Sequence, residues 1–410
     1  MIVVSGGDLI LPDRVITEGS LVIEAGRIAA IELRPVDPAG AQSIDASGCY
    51  VVPGFVDVHV HGLHGHDSLD EGDAVARIAA LLPRYGVTAF CPTTVACSPA
   101  DLRGVLQQVR AARVTPVNGS ARVLPAHLES NFINPEYCGA QPAACLRTPT
   151  TGAQEGDYSG RDVLDVIASS RPDVGIVTMA PELPGGIDLV RSLVAAGHRV
   201  SLGHSSADFD TAMAAVDAGA RHATHLFNRM PPMTHRAPGL AGALLAREEV
   251  AVEVICDGHH VHPAMCQIAV AAKGPEGVMA ITDATAGAGL AVGAEARLGG
   301  RTIRVGDAAA FLDDGTLAGS TLTMDCAFRN IVTRFGGSLV DAAMMCSTTP
   351  ARALGLTGFG VLAAGAVADI VVLDRGFNVV RTFIAGREVW GGGSRPRPDS
   401  GRPTTAVTTD

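Results

Sequence analysis

Eight apolar runs with strand character divide the chain between residues 52 and 283, and alanine-rich segments with helical spacing lie between most of them. The runs are Val52–His61, Val87–Thr94, Ala121–Glu129, Val174–Ala180, Arg199–His204, His222–Phe227, Val250–Cys256 and Val278–Asp283. The helical segments are Gly72–Tyr85, Asp101–Arg113, Arg161–Arg171, Ile187–Ala196, Asp208–Ala218 and Pro263–Lys273. Alternation of this kind is the pattern of βα units and a parallel sheet. Eight units imply a closed (β/α)8 barrel whose active site lies at the C-terminal ends of the strands. A doubly wound open sheet is the competing arrangement, but no Gly-x-Gly-x-x-Gly opens a helix in a dinucleotide-binding setting.

At 410 residues, 47% of them hydrophobic, the chain has room for such a barrel and a smaller module. The module is expected from both ends of the chain. Residues 1–50 read as short strands with a tight hairpin at Gly26, too few to close a unit alone. The stretch 359–393 supplies partners in Asp369–Asp374, Asn378–Ile384 and Glu388–Trp390. The barrel then spans 51–358, with a glycine-rich hairpin insertion near 287–320 and helices at Thr323–Phe335 and Leu339–Cys346. The polar, Pro/Thr-rich end, residues 394–410, is expected to be a disordered tail.

Charge and composition exclude several functions. A net charge of −11 repels a phosphate backbone, and 4% aromatics with one Trp offer no stacking platform, so nucleic acid is not a partner. No run of about 18 apolar residues suggests a membrane span. Met1 leads into Ile-Val-Val-Ser-Gly-Gly without a basic region, so a cytoplasmic protein is expected. Nine cysteines without a Cys-x-x-Cys pair fit reduced, mostly buried side chains.

Residues suited to bind metal recur at the strand ends. The first run closes on Asp57-Val-His59-Val-His61, where alternation puts all three polar side chains on one face. Glu129 ends the third run, His204 the fifth, His225 the sixth and Asp283 the eighth. Barrel geometry brings these ends to one rim. Four histidines and two carboxylates exceed the three ligands of a single catalytic zinc. Two divalent ions about 3.5–4 Å apart would use them all, His59 and His61 on one, His204 and His225 on the other, with Glu129 between. Asp283 would touch the first ion or its water and act as general acid/base. His127 is placed to orient Glu129, and Asp57 to hydrogen-bond a ligand.

With these residues in view, the chain resembles the amidohydrolase superfamily, and within it the N-acetylglucosamine-6-phosphate deacetylases. The resemblance rests on Pro-Gly-Phe-Val-Asp-Val-His-Val-His-Gly at 53–62, His-Leu-Glu at 127–129, Gly-His-Ser at 203–205 and His-Ala-Thr-His-Leu-Phe-Asn at 222–228. It continues through Asp-Gly-His-His-Val-His-Pro at 257–263, Thr-Asp-Ala at 282–284 and Gly-Thr-Leu-Ala-Gly-Ser-Thr-Leu-Thr-Met at 315–324. It implies a (β/α)8 barrel beside a small β-sandwich and a metal-dependent amide hydrolase. The expected reaction is attack of a metal-activated hydroxide on the acetyl group of an amino sugar, N-acetylglucosamine 6-phosphate above all. The implied ions are one or two, zinc first among them, since some relatives lack the first histidine pair. Asn228, His260 and Arg236 are implied as substrate contacts, Arg236 near the phosphate, and the assembly as a homodimer.

The chain departs from the family pattern at four places. Ser130-Asn131-Phe132 stands for Gly-Pro-Phe, Cys138-Gly-Ala-Gln141 for a Lys-Gly-Ala-His-like stretch, and Arg236-Ala-Pro-Gly for Arg-Glu-Pro-Gly. His64 and His66 follow the second histidine. These changes are expected in the pocket walls, so the rival readings are another N-acyl substrate at the same site and a noncatalytic metal-binding sensor. His64, His66, His235, His259 and His262 have no role from the sequence.

Overall fold

Parallel strands covered on both faces need apolar side chains pointing both ways, and the barrel strands supply them. The structure, a computed structural model, describes residues 1–150, 156–306 and 309–391. Its barrel strands are β1 (Phe55–Val60), β2 (Val87–Thr94), β3 (Ala126–Glu129), β4 (Val174–Met179), β5 (Arg199–Leu202), β6 (His222–Ala223), β7 (Ala251–Ile255) and β8 (Val278–Ile281). They pair in parallel and in chain order from β1 to β8. Every residue of β1, β2 and β4 is buried.

The ring is completed between β8 and β1 by side chains as much as by backbone. Val60 and Ala284 form a parallel bridge, and the Asp283 N–H donates to the His59 carbonyl at 3.0 Å. Inside it, the Asp57 carboxylate accepts the Thr282 hydroxyl at 2.6 Å and the His59 N–H at 3.3 Å. Asp57 therefore seals the barrel and also holds the backbone of His59, with which it shares a strand face.

Three of the expected strands change at residues with a local reason. The run Val52–His61 divides at Gly54, where a β-carbon would sit 2.4 Å from Thr88 Oγ1. Tyr50–Pro53 goes to the terminal sheet, antiparallel to Ile370–Leu373 and parallel to Ile2–Ile10. The run Ala121–Glu129 divides at Pro125, which has no N–H for the ladder, into Arg122–Val123 and β3. The sixth strand stops at Ala223, because His225 and Phe227 take left-handed φ of 28° and 75°.

Six barrel helices follow the segments read from periodicity, among them Ala74–Leu81, Pro99–Val114 and Pro263–Lys273. A further helix, Gly239–Ala246, has no sequence period because Gly-Leu-Ala-Gly-Ala-Leu-Leu-Ala lacks a polar face. The insertion is a four-stranded antiparallel sheet rather than a hairpin: Glu295–Leu298, Arg301–Val305, Ala309–Phe311 and Leu317–Ser320. Leu298, Ile303, Ala310 and Ala318 pack it onto Val95 at the barrel rim.

Strands from both chain ends share one eight-stranded sheet, in which Val15–Glu24 is a single strand of ten residues. Its own core includes Val4, Leu21, Ile28, Val51, Ile370 and Phe383. The expected hairpin at Gly26 turns through Ala25 and Gly26 at φ of 47° and 77°. All nine cysteines are free, and Cys91, Cys97, Cys256, Cys266 and Cys346 are buried. Among the described residues no helix is long and apolar enough to cross a membrane. The expected disordered tail, 394–410, lies outside the described residues.

The Asp57–Thr282 contact generates a stability prediction. Thr282→Val keeps the shape but leaves a buried carboxylate short of a donor, so unfolding free energy should fall by about 1–3 kcal/mol, read from denaturant melts.

Candidate metal centre and cavity

The residues expected at the rim come together there. Glu129 ends β3, His59 lies on β1, and His61, His204, His225 and Asp283 stand one or two residues beyond β1, β5, β6 and β8. Three of them hold unusual backbone: φ is 48° at His204, 28° at His225 and 50° at Asp283. Left-handed conformations are unfavourable for non-glycine residues and cluster at functional sites. Here they turn side chains inward just where each strand ends. The Ser320 N–H, on the insertion, donates to the Asp283 carbonyl at 2.8 Å and helps hold that turn.

All six side chains are buried, and their donor atoms converge on Glu129. Glu129 Oε1 lies 2.8 Å from both His204 Nε2 and His225 Nε2. Glu129 Oε2 lies 3.5 Å from His61 Nε2. The His59 and His61 Nε2 atoms face each other at 3.2 Å, and those of His204 and His225 at 3.1 Å. Asp283 Oδ1 sits 3.2 Å from His61 Nε2 and 3.4 Å from His59 Nε2. Two groups thus have metal-binding geometry, His59/His61/Glu129 and Glu129/His204/His225, and Glu129 belongs to both.

The electrostatics fit a cation. Burial opposes ionisation of Glu129, but His204, His225 and His59 outweigh it and hold the carboxyl well below its usual range. Asp283 is likewise raised by burial but lowered overall by His59 and His61. Burial pushes His59 down to about 4, which leaves it neutral at pH 7, as a metal ligand must be. At His225 burial works against protonation, yet Glu129 lifts it to about 9. Two ionised carboxylates in a buried cluster of facing imidazole nitrogens demand positive charge, which the chain alone meets only by protonating histidines. A divalent ion answers the same need.

One residue of the centre has no place in the sequence reading. Glu253 is fully buried in the middle of β7, and its Oε2 lies 2.9 Å from His59 Nδ1 and accepts the His225 N–H at 3.3 Å. It orients His59 with Nε2 toward the other ligands, the usual arrangement behind a metal-binding histidine. Burial raises its carboxyl to about 7. A carboxylate inside the apolar run Ala-Val-Glu-Val-Ile was the available signal. His59, His127 and Glu253 also cluster, but both His127 nitrogens are engaged, by the Val58 carbonyl at 2.9 Å and Thr178 Oγ1 at 2.7 Å. His127 thus braces β1 against β4.

A cavity of about 420 Å³ opens on the centre and is lined by His61, Glu129, His204, His225 and Asp283. Asn228 and His260 line it too, whereas Arg236 is exposed and outside the lining. Asp257 Oδ2 engages His260 Nδ1 at 2.6 Å. Of the departing residues Ser130, Asn131, Gln141 and His64, only Gln141 reaches the cavity. Its Oε1 accepts the Ala96 N–H at 2.7 Å, which turns the amide NH2 toward Glu129 Oε2. Ser130 donates to the Thr178 carbonyl, Asn131 to the Cys97 and Cys145 carbonyls, and His64 pairs with Tyr85. Those three substitutions brace loops instead of forming the walls expected of them. His262 caps the helix Pro263–Lys273 through the Ala264 N–H.

An amidohydrolase family model matches residues 50–389. The chain is 37% identical over 402 residues to N-acetylglucosamine-6-phosphate deacetylase of Bos taurus, covering 95% of this chain and 94% of the relative. It is 36% identical over 369 residues to N-acetylgalactosamine-6-phosphate deacetylase of Escherichia coli O157:H7, covering 90% and 93%. Among solved structures it is similar to a mutant N-acetyl-D-glucosamine-6-phosphate deacetylase from Mycobacterium smegmatis in complex with N-acetyl-D-glucosamine-6-phosphate. The TM-score is 0.85 at 34% identity, over 95% of this chain and 99% of that one.

The Glu253–His59 contact predicts unequal metal retention. Glu253→Ala should weaken binding at the His59/His61 position by roughly 10–100-fold, with Glu253→Gln, which still accepts the Nδ1 proton, in between. Metal content after dialysis against graded chelator measures it.

Proposed function

The chain belongs to the amidohydrolase family, and we propose that it is a metal-dependent hydrolase that removes acetate from a 2-acetamido sugar phosphate, foremost N-acetylglucosamine 6-phosphate. The observation that carries this reading is Asp283: an ionised carboxylate on the cavity wall, against the nitrogen atoms of His59 and His61. A binding module has no need of a proton acceptor there.

His59 and His61 would hold one divalent ion and His204 and His225 a second, with Glu129 common to both. An ion in such a set polarises a carbonyl and lowers the pKa of water. Zinc suits these nitrogen-rich ligands best. Asp283 takes the proton of the water that attacks the acetyl carbonyl, then passes it to the amide nitrogen as the C–N bond breaks. Acetate and the free amino sugar phosphate leave. His260, its Nδ1 held by Asp257, presents Nε2 to the substrate, and Asn228 contacts it from the same wall. Arg236 lies outside its own cavity, so its phosphate role requires a homodimer in which it serves the partner. A cytoplasmic location agrees with nine unpaired cysteines.

The relative acting on N-acetylgalactosamine 6-phosphate favours a second reading, the same chemistry on the C4 epimer. Acetate release from both sugar phosphates decides between them. Asp283→Asn should lower kcat by about 10²–10⁴-fold, the usual worth of a positioned acid/base. Chelation should abolish turnover, and a divalent ion should restore it. Undiminished turnover in Asp283→Asn would remove the assigned role.

A further inference from the structure

The segment after β6 carries two functional side chains on one strained turn. His225, Phe227 and Arg229 all have positive φ, at 28°, 75° and 52°. The first turns its ring to the metal centre, and the third lines the same cavity. The turn is tied down at both ends. The Asn228 N–H donates to the His225 carbonyl at 2.9 Å, and the Ser205 N–H to the Arg229 carbonyl at 3.2 Å. Three unfavourable conformations in five residues are hard to account for by loop closure alone.

The Arg229 guanidinium has a prepared seat. It lies across Gly139, itself at φ 60°, where a β-carbon would stand 2.5 Å from Arg229 Nε and 3.0 Å from Cζ. Among the described residues it is the only Lys or Arg in the cavity lining, and none of its side-chain nitrogens has a hydrogen-bond or ion-pair partner. Glu136 lines the cavity too, but forms no ion pair with it. In a chain of net charge −11, with carboxylates abundant, an arginine left unpaired on the wall of a site is a receptor for an anion.

We infer that Arg229 is the residue by which the cavity selects an anionic sugar, its planar fork taking two phosphate oxygens while the acetamido group lies at Asp283. This rests on the proposed reaction and deepens it. It gives the chain a phosphate contact within its own cavity, which exposed Arg236 does not supply.

The test is steady-state acetate release from N-acetylglucosamine 6-phosphate, with inorganic phosphate as competitive inhibitor, for wild type, Arg229→Ala and Arg229→Lys. Loss of a charge-assisted contact made equally in ground and transition states should raise KM by roughly 10–100-fold in Arg229→Ala while kcat stays within about threefold. The inhibition constant for phosphate should rise in parallel, and the lysine variant should recover part of both. A loss carried by kcat, or an unchanged KM, overturns the assignment. Should Arg229→Ala not fold, the lysine variant's phosphate inhibition decides: a constant equal to wild type's overturns it. If the wild-type chain releases no acetate, the proposed reaction fails and this assignment with it. If wild type turns over and only the Arg229 variants are indifferent, this assignment alone fails.

Discussion

A buried carboxylate with its charge intact is the constraint on which the site depends. Glu129 is almost inaccessible, and ionised carboxylates of that kind are tolerated only when surrounded by donors or cations. Oε1 is taken by His204 and His225, while Oε2 meets the Gln141 amide and faces His61. Those four partners come from the ends of three barrel strands and the loop after β3. The barrel's closure is therefore also the assembly of the site. Where β8 meets β1, the Asp283 N–H bonds to the His59 carbonyl, so the proposed acid/base and a proposed metal ligand are joined by the same contact that completes the ring.

Local strain is distributed to match. His204, His225 and Asp283 lie in left-handed backbone immediately past apolar strands, whose packing is rigid enough to impose it. Glu253 supports the centre from behind, one oxygen shared between the His59 ring and the His225 amide. A carboxylate touching ligands of both candidate ion positions links their geometry.

Much of this architecture was legible because the code is repetitive. Apolar runs of strand length recur with helical segments between them, and eight such runs have few ways to fold. The candidate metal-binding side chains were legible too, since each stands at the end of one of those runs. What escaped had no periodic signal: the all-apolar helix Gly239–Ala246, the breaks at Gly54 and Pro125, and the extra strands of the insertion. Departures from a family pattern were the least reliable guide. Ser130, Asn131 and His64 look like pocket changes in the sequence but face backbone carbonyls and Tyr85. Gln141 alone turns toward the site.

The sequence by itself determined the number of βα units, the joining of the two chain ends in one sheet and which polar side chains meet at the rim, because side-chain alternation and strand ends are local properties. Only the tertiary structure decided what each polar residue touches. Asp57 and His59 are separated by one residue on the same face, yet one seals the barrel and the other faces the candidate metal centre. Glu253 and Arg229, silent in the sequence, acquire their places from neighbours more than a hundred and ninety and about ninety residues away: His59, at a separation of 194, and Gly139. Contacts of that range depend on how the ring closes, and no short stretch of chain encodes it.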